Sequence, residues 1–338
     1  MSSSSPLSSA TALSEVELRP GSPPLLRVNA AGRTTSWTAE HRDALRATVT
    51  RHGSLLVRGL GLRTPAEVDA VVRRLAGSLM TEKEAFASRE THSEGVYSST
   101  KWPQNQPMCM HHELSYRLEF PGLMFFACLT APTEGGVTGV ADAPTMLDAL
   151  PPELVQRFER DGWMLTRSYN DEIGASFAEA FGTEDPGAIE QYCHANAIEF
   201  AWQPDGELRT RQRRSAVVRH PVTGQRCWFN QIAFLNEWTL APEVREFLVD
   251  VYGSEGLPFN TCFGNGDPIG ADVVELLNST YEAHTAREPW QAGDLLLVDN
   301  IRTAHSRDPY SGPREVLAAM ADPVRLSDCS PTFEEASA

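Results

Sequence analysis

The sequence is short of paired cysteines, of long apolar runs and of positive charge, and each shortage removes a class of protein. Its six cysteines, at 109, 128, 193, 227, 262 and 329, include no C-x-x-C spacing. Neither a zinc ribbon nor a thioredoxin-type redox pair is spelled out, and reduced intracellular thiols are expected. Even the most apolar stretch, GLMFFACLTAP, is soon broken by proline, glutamate and glycine, well before it could span a bilayer. No membrane partner is expected. Lys and Arg number 29 against 45 Asp and Glu, giving a formal net charge of −16, and such a field repels phosphate backbones. No nucleic-acid partner is expected either. The one basic cluster, RTRQRR at 209–214, has no interleaved aromatics and reads as a solvated face or a local anion contact. The serine- and proline-rich opening lacks a basic segment followed by an apolar one, so residues 1–24 read as a disordered tail rather than an export signal. A cytoplasmic location is the expectation.

What is present suits a large globular unit: 338 residues, 41% of them hydrophobic, can bury an ample core. Two helical patterns lie between 38 and 80, around a strand-like SLLVRGL at 54–60. The second helix is well punctuated. Thr64 caps it, Pro65 fits its first turn, Glu67 completes a capping box, and Val68, Val71, Val72, Leu75 and Leu79 form one apolar stripe. From about 95 onward, short apolar or alternating runs (GVYSST, HHELSYRL, GLMFFACL, SAVVRH, RCWFNQIAF, DLLLVDN, REVLAAMA) are separated by Gly, Pro and Asp, a texture that suggests a β-sandwich or barrel. Helical inserts are expected near 145–160, 176–196, 242–252 and 270–286. No internal repeat or linker interrupts 25–325.

The chemistry gathers at MCMHHELSYR, residues 108–117. If this stretch is a regular strand, His111, Glu113 and Ser115 share one face while His112, Leu114 and Tyr116 share the other. His111 and Glu113 can then bind one ion together. The H-x-E of zinc deaminases needs a P-C-x-x-C partner that is absent, and H-E-x-x-H is also absent because Leu114, Ser115 and Tyr116 follow His112-Glu113. A third ligand must come from elsewhere. His305, which follows the apolar DLLLV run, would complete a face of two histidines and one carboxylate with open positions, an arrangement suited to non-haem Fe(II) and oxygen.

The succession H-x-E, then GGVT, then DN, H-x-R and G-x-R, resembles the TauD/TfdA-type Fe(II)/2-oxoglutarate-dependent dioxygenases. The similarity is greatest to the clavaminate-synthase-like and SyrP-like group, whose carboxylate ligand is glutamate. Further stretches in the expected order (VYSSTKWP, LRTRQ, HPVTGQRCWFNQ, PWQAGDLLLVDN) extend the resemblance over most of 25–325. It implies a mixed α/β, mainly β fold: a double-stranded β-helix (jelly-roll) core with flanking and inserted helices, one dioxygenase domain over 25–325, and a tail over 326–338. It also implies that His111, Glu113 and His305 hold Fe(II), and that Thr138 and Arg314 bind the distal carboxylate of 2-oxoglutarate, with O2 as the second co-substrate. Gly135 and Gly136 would shape the turn that delivers Thr138. Asp299 and Asn300 would support the ligands, and Arg307 would hold its loop through a salt bridge.

The reaction implied is hydroxylation at the β-carbon of an amino acid, free or tethered to a peptidyl carrier protein, in specialised metabolism such as antibiotic biosynthesis, with succinate and CO2 released. Desaturation or cyclisation would use the same iron site, and a non-catalytic jelly-roll that senses a small acid is the alternative of another class. Halogenases of this type carry a small residue in place of the carboxylate ligand, so Glu113 argues against chloride chemistry. Ser99, Thr100, Asn230 and Gln231 are the candidate substrate contacts. The sequence departs from the group in having His112 where asparagine is common, and IAFLNEW where a small and histidine-rich run is common.

Overall fold

In a computed structural model, the described residues are 13 and 15–333, apart from positions 85, 87, 88, 101 and 171. A seven-stranded sheet runs in the order Leu25–Arg27, Ser54–Arg58, Leu295–Asp299, Glu119–Thr130, Glu315–Arg325, Val96–Ser98 and Thr91–Ser93. Its two long central strands follow from the apolar runs GLMFFACL and REVLAAMA. Alternation divides each strand between two cores: Leu123, Phe125 and Ala127 face one way and Met124, Phe126 and Cys128 the other. On the first side lie helices Thr34–His52 and Pro65–Leu75, which contribute Leu45, Val49, Val68, Val71, Val72 and Leu75. The capping box is formed as expected, with the Glu67 backbone N–H donating to the Thr64 hydroxyl and the Thr64 N–H to the Glu67 carboxylate.

Facing the other side is a three-stranded sheet with Thr303–Arg307 between Met108–His111 and Val140–Asp142. Phe126 of the large sheet and His305 of the small one are in ring contact, with centroids 4.9 Å apart. The two sheets are thus the halves of a jelly-roll, and the site sits between them. Because helices cover one face of the large sheet and the small sheet the other, Leu295, Leu297 and Val298 are fully buried despite lying in an unbroken apolar run.

The expected inserts are present as helices Ala143–Ala149, Pro152–Asp161, Phe177–Phe181, Pro186–Ala195, Pro242–Tyr252 and Ala271–His284. Two of these pack on a four-stranded sheet, ordered Glu199–Trp202, Leu208–Arg214, Trp163–Tyr169 and Asn260–Phe263, with a small core of its own around Tyr169, Ile189, Cys193 and Leu208. The basic RTRQRR cluster lies on Leu208–Arg214, and strand alternation splits it. Arg211 is exposed and Arg209 half-buried, both within 4 Å of Glu255, at 3.9 and 3.8 Å, whereas Arg214 is buried and donates to the Tyr116 and Asn196 carbonyls. Only half of the cluster is a solvated face.

The ordered chain extends beyond 25–325 on both sides. Glu17 exchanges backbone hydrogen bonds with Leu25, and Arg287 donates to the Gly21 carbonyl; the expected disorder of residues 1–12 and 14 lies outside the described residues. At the other end Leu326–Cys329 forms a short 3-10 turn and Phe333 N–H donates to Ser215. Among the described residues no helix is long and apolar enough to cross a membrane, and none of the six cysteines is disulfide-bonded.

Leu297 tests the sandwiching of the large sheet. Leu297→Ala removes a side chain with no exposed surface and should cost about 2–5 kcal/mol in urea unfolding at an unchanged m-value. A cost below roughly 1 kcal/mol would mean that the helical layer does not close over this strand.

Candidate active site

Strand pairing, rather than proximity in sequence, builds the centre. His111 ends its strand and is the direct antiparallel partner of His305. The two imidazoles meet with ring centroids 4.3 Å apart. Contrary to the expected regular strand over 111–116, extended structure stops at His111 and residues 113–118 form a turn, in which Leu114 has a φ of 55°. A turn is favoured because Asn300 captures it: its side-chain oxygen accepts from Glu113 N–H at 2.8 Å, and its amide donates to the carbonyls of Glu113 and Pro121 at 2.9 and 2.8 Å. Glu113 still reaches the same face as His111, by turning rather than by alternation. His112 points the other way, its Nδ1 2.6 Å from the Asn300 carbonyl and its ring against Phe229.

The ligand atoms of His111, Glu113 and His305 all lie within 4.8 Å of one another, and all three residues are buried. One carboxylate oxygen, Oε2 of Glu113, is 3.9 Å from Nε2 of His111 and 3.6 Å from Nε2 of His305. His111 donates from Nδ1 to the Cys109 carbonyl at 2.8 Å, which leaves the Nε2 lone pair for an ion. Burial, reinforced by His305, holds its pKa down at about 3, so the ring is neutral, as a ligand must be. Burial alone would raise the Glu113 pKa, but Arg89 and the two histidines outweigh it and keep the carboxyl well below its usual range. Two imidazoles and one carboxylate on one face are a donor set that fits Fe(II).

A second charged feature adjoins the triad. Half-buried Arg314 donates to the Gly136 carbonyl at 3.1 Å and shares a cavity wall with Thr138, Ser99 and the triad. Burial, with Arg307 nearby, lowers its pKa to about 10, and among the described residues it has no carboxylate partner. A carboxylate ligand would supply the missing counter-charge. The glycine pair is required sterically: both Gly135 and Gly136 have positive φ, and a Cβ on Gly136 would press on Pro132, Tyr310 and the Arg314 side chain. Arg307 does hold its loop, but through the carbonyls of Trp102, Pro103 and Gln106 rather than the expected salt bridge, because backbone oxygens of 102–106 line its path.

Asp299 accepts from His220 at 2.9 Å and from the N–H groups of Ile301 and Arg302, so it shapes the turn leading to His305. Of the candidate substrate contacts, Ser99, Thr100 and Gln231 line the two cavities beside the triad. Asn230 is spent inside the fold, donating to the Ala216 carbonyl and accepting from Ile232 N–H. Sequence reasoning passed over Arg89, whose Nη2 donates to Oε1 of Glu113 at 3.0 Å, and Glu82, whose carboxylate is 3.4 Å from Arg89 Nε. It also passed over Phe234, stacked on His111 at 4.5 Å. Phe234 does lie in the IAFLNEW stretch where the sequence departs from its group, and that departure was the available signal.

The taurine catabolism dioxygenase TauD, TfdA family model matches residues 19–320. The chain belongs to this family. It is an Fe(II)/2-oxoglutarate-dependent dioxygenase, and His111, Glu113 and His305 are the residues that would hold the metal. The dapdiamide synthesis protein DdaC of Enterobacter agglomerans is 34% identical over 272 residues, covering 80% of this chain and 83% of that protein. A clavaminate synthase-like protein of Arabidopsis thaliana is 27% identical over 279 residues, covering 79% and 81%. The PvcB protein from Pseudomonas aeruginosa shares the fold at a TM-score of 0.53 and 14% identity, over 91% of this chain and 90% of that one.

Asn300 offers a test of this dioxygenase centre that leaves the ligands in place. Asn300→Ala removes the three hydrogen bonds that fix the Glu113 turn and should weaken Mn(II) binding, followed by electron paramagnetic resonance, roughly 10- to 100-fold. Unchanged affinity would show that the turn holds its shape without Asn300.

Proposed function

We propose that this dioxygenase hydroxylates an amino-acid-like small molecule at its β-carbon, free or carried on a peptidyl carrier protein, in a specialised biosynthetic pathway. The observation that carries the reading is the triad facing the same cavity as the half-buried Arg314 guanidinium, which lacks a carboxylate partner among the described residues. Similarity to DdaC, whose name ties it to dapdiamide synthesis, supports an amino-acid-related substrate. Glu113 supports hydroxylation over halogenation, since it fills the ligand position that chloride would need.

The residues divide the work as follows. Bound Fe(II) would activate O2, the oxidant, with 2-oxoglutarate giving two electrons as it becomes succinate and CO2 and the substrate C–H bond giving the other two. Arg314 and Thr138 anchor the distal carboxylate, a planar guanidinium giving paired charge-assisted hydrogen bonds and the hydroxyl a further donor. His111 and His305 present their Nε2 atoms, and Glu113 one carboxylate oxygen. Phe234 covers His111 on one side and Phe126 covers His305 on the other, which keeps water from the metal face. Thr100, Trp102, Gln231 and Phe259 form the adjoining wall, where a substrate C–H bond would be aimed at the metal.

Under anaerobic conditions, Fe(II) and 2-oxoglutarate together should give a weak visible charge-transfer band that His305→Ala abolishes. Arg314→Met should raise the 2-oxoglutarate Kd roughly 10- to 100-fold, as expected for loss of a charge-assisted pair worth about 1.5–3 kcal/mol. A screen of free amino acids against carrier-bound aminoacyl thioesters, reading succinate and a mass gain of one oxygen, identifies the substrate form. Loss of two hydrogens instead would assign desaturation, and 2-oxoglutarate binding without any oxygen uptake would favour a sensor. Absence of both the band and succinate formation in the wild-type protein would sink the proposal.

A further inference from the structure

Resting on that reading of the metal site, the geometry points to Arg89 as the positioning residue that keeps Glu113 a one-oxygen ligand and so preserves the open metal positions. The two oxygens of Glu113 are not equivalent. Oε2 faces both histidine Nε2 atoms, at 3.9 and 3.6 Å, while Oε1 accepts a hydrogen bond from Arg89 Nη2 at 3.0 Å. A carboxylate left free can close on an ion through both oxygens. On a six-coordinate ion with two histidines that would leave two open positions, one fewer than 2-oxoglutarate and oxygen together require. Occupying Oε1 with a guanidinium prevents the closure.

Arg89 is built to stay there. Its side chain is 9% exposed, and Glu82, itself 12% exposed, sits 3.4 Å from its Nε, while Glu113 takes its Nη2. Among the described residues, Glu82 accepts no side-chain hydrogen bond, and Arg89 is its one ion-pair partner. Its carboxylate thus serves as a second counter-charge that holds Arg89 beside Glu113. Burial by itself would make the guanidinium easier to deprotonate, but Glu113 and Glu82 more than reverse this and keep it charged. A desolvated, charge-assisted contact of this kind is stronger than its exposed equivalent.

The test separates metal binding from co-substrate binding. The double variant Glu82→Gln/Arg89→Met removes the clamp without leaving Glu82 as an uncompensated buried charge. Relative to Glu82→Gln alone, it should bind Mn(II) within threefold or more tightly, while its anaerobic Fe(II)–2-oxoglutarate form binds nitric oxide, a stand-in for oxygen read by electron paramagnetic resonance, at least tenfold more weakly. A merely structural role would lower metal affinity first; Mn(II) binding weakened tenfold or more, or nitric oxide affinity unchanged, overturns the inference. Where the double variant does not fold, Arg89→Lys keeps the charge but cannot reach both acids with one planar fork. It should bind Mn(II) like wild type and, as the Fe(II)–2-oxoglutarate form, nitric oxide at least threefold more weakly, and equal nitric oxide affinity overturns the inference. Because the wild-type charge-transfer band reports the site itself, its absence counts against the proposed function, whereas its presence with unaltered variants counts against Arg89 alone.

Discussion

The antiparallel register that sets His111 opposite His305 is the constraint on which the centre depends. Two candidate ligands separated by nearly two hundred residues become neighbours only because their strands pair in that alignment. A slip of one residue would turn one imidazole to the opposite face and leave a single histidine beside Glu113. The small sheet cannot hold this register alone. Its middle strand continues from the large sheet through the Asp299–Asn300 turn, so the apolar pairing of Leu295–Asp299 with Ser54–Arg58 and Glu119–Thr130 fixes where His305 emerges.

Buried charge is arranged in layers around that register. Nearest the triad, Arg89 lies between Glu113 and Glu82. Farther back, Glu84 accepts from Tyr192 and Gln212 at 2.7 and 3.2 Å and lies 3.5 Å from Arg117, while its carbonyl accepts from Tyr116 and Arg167. Gln212 and Arg214 both donate to the Tyr116 carbonyl, at 2.7 and 2.8 Å. The inserted four-stranded sheet is thereby tied to the turn that carries Glu113. An insertion with its own small core serves the centre through these polar contacts, and removing one partner would strand a buried charge.

Much of this was legible in the sequence because it follows local rules. The capped helix at Pro65–Leu75, the helical inserts and the long apolar strands each announce themselves through period and punctuation. The five residues implied to hold iron and 2-oxoglutarate stood out through motif order. What escaped was set by tertiary contacts. HHELSYRL alternates like a strand, yet Asn300, nearly two hundred residues away, bends it into a turn. Arg89 and Glu82 belong to no motif, and their roles depend on which oxygen of Glu113 each can reach. Asn230 looked like a pocket residue because its neighbours are polar, but its side chain closes a backbone turn. Tetrahedral or octahedral chemistry can be guessed from residue types, whereas the partner of a lone guanidinium cannot.

Arg314 and Arg307 give the fold a further property. Each is buried enough for its pKa to fall, Arg307 adds to the lowering at Arg314, and neither meets a carboxylate among the described residues. A dicarboxylate seated on Arg314 therefore relieves a repulsion inside the protein as well as anchoring itself. Its binding free energy would enter the folding equilibrium by mass action, so a co-substrate held there as proposed would double as a structural counter-ion. An enzyme made this way carries a record of 2-oxoglutarate supply in its own resistance to unfolding and proteolysis, independent of whether it is turning over.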